Sequence, residues 1–112
     1  MRSMLMTAGL CLVVVLAGSA NATAQDAKAK GAQLFVDQKC TLCHAVAGKG
    51  NAKGPLDGVG SKDTTDDIRA WLTDAKTMYA KTKQTRKPEM KQYTLPKDDV
   101  DALVAYLTSL KK

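Results

Sequence analysis

Residues Cys40-Thr41-Leu42-Cys43-His44 limit what this chain can fold into more tightly than any other stretch. In a helical turn, cysteines at i and i+3 project to one side, and a histidine at i+4 stays on that side. Two thiols so placed can each add to a vinyl group of one porphyrin while the imidazole reaches its iron, which is the attachment pattern of a c-type haem. Two other chemistries use paired cysteines. A closed zinc site wants four nitrogen or sulfur ligands, whereas the chain has one histidine and three cysteines, and Cys11 lies in a segment expected to be removed. A thioredoxin-like dithiol expects a strand–helix–strand neighbourhood, and no run of alternating β-branched residues follows residue 24. The cofactor expected is therefore haem c, held by Cys40 and Cys43 with His44 as an iron ligand. With one motif and no internal repeat, a single haem is expected.

The N-terminus bears on compartment. Arg2 gives a short positive start, residues 10–17 form a compact apolar run, and Ala22-Thr23-Ala24 makes a small-residue cleavage site. These are the parts of a secretory signal peptide spanning residues 1–24, leaving one domain over 25–112 that begins at Gln25. The apolar run is too short to cross a bilayer comfortably. Cys11 follows Leu10, where a lipoprotein would need a small residue, so it reads as an ordinary signal residue. Export to the periplasm suits thiols that must be captured by haem before they oxidise.

A domain of this size has a marginal core and usually needs help from a metal, a disulfide or a cofactor. Phe35, Trp71, Tyr79, Tyr93 and Tyr106 are its only aromatics. The porphyrin is expected to be the missing large hydrophobe, and the haem-free chain to be largely unfolded. The pattern predicts a first helix over 27–38, with Asp26 as N-cap and Gly31, Leu34 and Phe35 on one face. Thr64-Thr65-Asp66-Asp67 announces a middle helix over 66–74 carrying Ile68, Trp71 and Leu72, with a short helix to follow at 75–80. Pro96 opens a last helix over 97–110, with Val100, Leu103, Val104, Leu107 and Leu110 as its apolar stripe. Residues 48–62, with five glycines and Pro55, read as a loop. No strand is expected.

For the second axial ligand, only Met78 and Met90 remain after residue 24. Met78 sits in a helical stretch, where packing is the natural role. Met90 lies in an irregular segment after Pro88 that can deliver a thioether to iron, and an open or lysine-bound site is the remaining alternative. Lys81, Lys83, Arg86, Lys87 and Lys91 cluster around this segment, opposed by Glu89. They are expected either to ring the haem edge and steer acidic redox partners or to be a solvated loop. The basic run lacks interleaved aromatics, so nucleic acid is not an expected partner.

In order and spacing, the chain resembles the class I c-type cytochromes over residues 26–111. The likeness is carried by Gly31 and Phe35, the Cys40–His44 motif, Gly54-Pro55-Leu56 and Gly58-Val59-Gly60. It continues through Ile68, Trp71 and Leu72, Lys87-Pro88-Glu89-Met90, and the run from Asp99 to Leu107. The resemblance implies an all-α fold of three to five helices wrapped around one haem, with first and last helices crossing near Gly31 and Tyr106. It implies Met90 as the axial partner of His44, the Pro55 carbonyl as acceptor for the His44 ring, and Trp71 reaching a haem propionate. Tyr93 is a further candidate beside the haem.

The function expected is a periplasmic one-electron carrier: monomeric, with no catalytic residues and no stable membrane insertion. Two rivals remain open. One is a haem-bearing subunit of a larger dehydrogenase or oxidase complex. The other is a gas-binding or catalytic haem protein with a vacant sixth site, against which Met90 and the lack of a second histidine argue.

Overall fold

The computed structural model describes residues 19–112, with side chains from Thr23 onward, and its two longest helices cross at the point where the chain has no side chain to spare. Helix α1 (Ser19–Asp37) leads into a 3-10 turn (Cys40–Leu42) and a hairpin of two short strands, β1 (Ala45–Val46) and β2 (Lys49–Gly50). Then come α2 (Val59–Lys62), α3 (Thr65–Thr73), α4 (Ala75–Lys81) and α5 (Lys97–Thr108). Among the described residues the architecture is all-α with five helices, as expected.

Three expectations need correction. Asp26 does not cap α1, which is already helical at Ser19. Alanines at 20, 22, 24, 27 and 29 are the strongest helix formers, and neither glycine nor proline interrupts residues 19–30. The motif Ala22-Thr23-Ala24 thus lies within helix, while Arg2, residues 10–17 and Cys11 fall outside the described residues. Secondly, a strand pair exists. Ala45 faces Gly50 and Val46 faces Lys49, because Ala47 (φ 51°) and Gly48 (φ 76°) both take the positive φ of a two-residue hairpin turn. Thirdly, the last helix stops at Thr108, two residues early. Among the described residues no helix is long and apolar enough to cross a membrane.

At Gly31, α1 meets α5. A Cβ there would run into the Ala102 carbonyl and come within 2.6 Å of Tyr106 Cβ. One turn on, the Phe35 and Tyr106 rings meet edge to face at 5.8 Å, and Lys30 pairs with Asp99 at 2.8 Å. Gly31→Ala is expected to destabilise the folded protein by about 2 kcal/mol, since overpacking against backbone outweighs the roughly 1 kcal/mol of helix propensity gained. Denaturant titration of the haem-loaded protein measures this, and a stabilised variant would mean the helices are not in contact here.

The middle helix starts as its cap signal predicts: the Thr64 hydroxyl accepts the Asp67 N–H at 3.1 Å. Ile68 and Leu72 of α3 then join Phe35, Val100, Leu103, Val104 and Leu107 in one buried cluster. Across the outer side of the α3–α5 contact, Asp101 takes Lys97 at 2.6 Å and Arg69 at 2.7 Å. These cations hold its carboxyl below the usual carboxylate range. The pair energy is therefore fully present above the unfolded-chain pKa and lost as pH falls through the lower folded value. Asp101→Asn should lower the thermal midpoint slightly at neutral pH, and the gap from wild type should close as acid protonates the native carboxylate. A gap independent of pH would deny Asp101 this role.

Candidate haem-binding site

The left-handed turn at Lys39 (φ 59°) ends α1 and starts the 3-10 turn that begins at Cys40. Cys43 N–H donates to the Cys40 carbonyl at 3.1 Å and His44 N–H donates to the same oxygen at 2.9 Å. This tight turn brings Cys40, Cys43 and His44 to the wall of one cavity of about 760 Å³. Phe35, Ile68, Trp71, Leu72, Leu103 and Leu107 also line it, as do Pro55, Met90 and Tyr93. Every residue singled out for the site from sequence therefore borders one space. Met78 does not; it is a buried residue of α4 at 4 % exposure. Met90, half-buried, leans on the central cluster.

The His44 ring donates through Nδ1 to a backbone carbonyl at 3.1 Å, which fixes the tautomer and leaves Nε2 with its lone pair free for a metal. Burial pushes the imidazole pKa down, more than the carbonyl raises it, with Arg86 adding to the downward shift. The ring is thus neutral and ready to ligate. The acceptor, however, is Gly54, one residue before the Pro55 carbonyl implied by the resemblance. The register explains the offset. Gly54 O also accepts Ala45 N–H at 3.0 Å and Leu56 N–H donates to Ala45 O at 2.8 Å, so Pro55 lies beside Ala45 as a bridge residue while Gly54 turns its oxygen toward 44–45.

Three residues that sequence reasoning missed, or read only in part, hold this wall together. Asn51 donates its backbone N–H to the carbonyls of Thr41 and His44, each at 3.0 Å, and its side-chain amide to Leu42 O at 3.0 Å. Its place between two glycine-containing turns was the available signal, since asparagine side chains commonly bond nearby backbone in turns. Asn51→Ala should cost about 1 kcal/mol of stability through the lost amide bond, readable in denaturant midpoints. Gly54 has no room for a side chain beside Cys43 O and the Arg86 guanidinium. Arg86 itself donates to Cys43 O at 2.6 Å.

The basic cluster is less focused than expected. Arg86 and Lys91 border the cavity, joined by Lys39 and Lys62, while Lys81, Lys83 and Lys87 do not. Lys87 pairs with Glu89 at 3.0 Å and sits 5.4 Å over the Tyr79 ring. Lys91 lies 4.9 Å over Tyr93, whose phenol pKa is lifted chiefly by burial. Leu42, which also borders the cavity, is 69 % exposed.

The cavity tests which group belongs in it. Burial pushes the Cys40 thiol pKa up, the reverse of the lowered pKa that a redox dithiol needs. Among the described residues no three of His, Cys, Asp and Glu converge as metal ligands. A large, mostly apolar space edged by two free thiols at attachment spacing, a tautomer-fixed imidazole and a thioether fits one covalently anchored porphyrin. A helical shell with this donor set defines the class I c-type cytochromes. The cytochrome c family model matches residues 28–111, and the chain belongs to that family, whose members bind haem c and transfer electrons. It is 31 % identical over 91 residues to cytochrome c oxidase subunit 2 of Alkalihalophilus pseudofirmus (strain ATCC BAA-2126 / JCM 17055 / OF4), a match covering 73 % of this chain. The chain spans about a quarter of that relative's length, the match covering 25 % of it. No solved structure matches the chain significantly.

Proposed function

We propose that the chain is a monohaem, periplasmic one-electron carrier with His44 and Met90 as axial ligands and Cys40 and Cys43 as thioether anchors. The observation that carries this reading is that all four side chains border one cavity. When bound through His44 and Met90, haem c would supply iron able to pass between ferrous and ferric states, and a neutral thioether ligand would favour the reduced form. Gly54 orients His44 and strengthens it as a donor through the Nδ1 bond. Phe35, Ile68, Leu72, Leu103 and Leu107 give the cavity an apolar wall that would keep water from a bound haem. Trp71 and Tyr93 add aromatic walls with polar tips suited to propionates. No side chain is asked to transform a substrate. Arg86, Lys91, Lys39 and Lys62, which border the cavity as does exposed Leu42, suit brief docking on acidic redox partners, by a monomer.

Export with cleavage after Ala24 accompanies this reading. Mass spectrometry of the exported protein should give residues 25–112 plus one haem, the haem surviving denaturing electrophoresis. Cys40→Ser/Cys43→Ser should lack that mass. Unmodified thiols in the exported wild type would overturn the proposal.

The oxidase-subunit relative favours one second reading, in which the chain serves as the haem-bearing part of a larger electron-transfer complex. Size exclusion of a native extract separates them, because a subunit elutes with its complex and a shuttle elutes alone.

A further inference from the structure

Arg86 looks from sequence like one rim cation among five, yet its side chain is committed. Nη2 donates to the Cys43 carbonyl at 2.6 Å, bridging 43 positions of chain. Nη1 lies so close to Gly54 that a side-chain carbon there would collide with it. Gly54 is the residue whose carbonyl receives the His44 ring. The Arg86 carbonyl in turn accepts the Tyr79 hydroxyl at 2.6 Å, which ties the same residue back to α4. Met90 follows four positions later, in a stretch without helix or strand. The backbone of that stretch is held before it, where Gln84 N–H donates to Tyr79 O, and after it, where Tyr93 N–H donates to Leu72 O. Between these points Arg86 joins the Met90 segment to the His44 loop. By contrast, Lys81 faces Asp67 of α3, Lys87 pairs with Glu89 and lies over the Tyr79 ring, and Lys91 lies over Tyr93.

We infer that Arg86 is a positioning residue: its guanidinium straps the Met90 segment to the Cys43–Gly54 wall and so sets how readily Met90 yields its place to an external ligand. The inference rests on the His44/Met90 ligation proposed above. A charged donor on a backbone carbonyl holds better than a neutral one, and its removal frees both ends of the strap at once. Lysine keeps the charge but not the planar guanidinium that reaches the Cys43 carbonyl beside Gly54, so it restores part of the effect.

The test titrates imidazole into the ferric, haem-loaded protein and follows the weak red band of thioether ligation. Arg86→Gln and Arg86→Ala should bind imidazole about tenfold more tightly than wild type, the scale of one hydrogen bond to a charged group. Arg86→Lys should fall between. Tyr79→Phe, which removes no charge, should shift affinity in the same direction by less. Wild-type affinity in both Arg86→Gln and Arg86→Ala, with helical circular dichroism intact, overturns the strap. So does a Tyr79→Phe variant identical to wild type alongside an Arg86→Lys variant fully restored, since charge alone would then explain the effect. A wild-type spectrum without the red band overturns the Met90 ligation and the strap together, a result distinguishable from the other two.

Discussion

Stripped of haem, or made with Cys40→Ala/Cys43→Ala so that none is attached, the chain is expected to lose most of its helical circular dichroism at room temperature. The reason lies in how the core is shared. Of the seven residues in the central buried cluster, Phe35, Ile68, Leu72, Leu103 and Leu107 also line the cavity, and only Val100 and Val104 do not. The core is therefore one side of a container. Without its filling, five of its largest side chains face a space of about 760 Å³ that either stands empty or admits water. Empty space forfeits dispersion contacts and water forfeits hydrophobic burial, at about 25 cal/mol for each Å² of apolar surface left wet. The α1–α5 crossing is the part expected to persist longest, because the close approach at Gly31 and the Lys30–Asp99 pair lie outside the cavity lining. Even so, two crossed helices are marginal in water. A haem-free chain that unfolds cooperatively with a near-wild-type midpoint would contradict this account.

Met90→Ala should abolish the weak red band of the ferric protein and lower the reduction potential by something on the order of 0.1 V, a fraction of the ~0.8 V range that axial ligands span. Met78→Ala should leave band and potential nearly unchanged while destabilising the fold by about 2–5 kcal/mol, as truncation of a buried methionine does. The two methionines are chemically identical; their surroundings separate them. Met78 is a buried residue of α4 at 4 % exposure that does not border the cavity, whereas Met90 lies on the cavity wall. Spectroelectrochemical titration of both variants reads ligand and fold roles independently. Persistence of the band in Met90→Ala would reassign the ligand.

Much of this was legible because the attachment motif is local. Five consecutive residues carry their own geometry, and the Thr64 cap and Pro96 entry likewise announce helices from within a few positions. Met90 could be separated from Met78 because one follows Pro88 in an irregular stretch and the other keeps helical company. What could not be read depends on partners far along the chain. Arg86 resembles any solvated cation until its contact with Cys43, 43 positions away, is seen. The shift of the His44 acceptor from Pro55 to Gly54 follows from the bridge register at Ala45, which no residue type encodes. Asp26 misled for a different reason: a good cap residue inside an alanine-rich stretch loses to the propensity around it. The lysines were overcounted at the cavity because sequence proximity to Met90 does not say which way an exposed side chain leans.

The bond from His44 to Gly54 has a consequence for how the protein's redox tuning can vary. The acceptor belongs to the peptide chain itself, so no exchange of one amino acid for another deletes it directly. The electron-donating push on the imidazole is inherited with the loop and persists as long as the loop keeps its shape. In the proposed ligation the thioether side enjoys no such insurance, since a single altered codon removes Met90. Variation in potential should therefore enter through the methionine flank, with the histidine flank acting as the fixed reference.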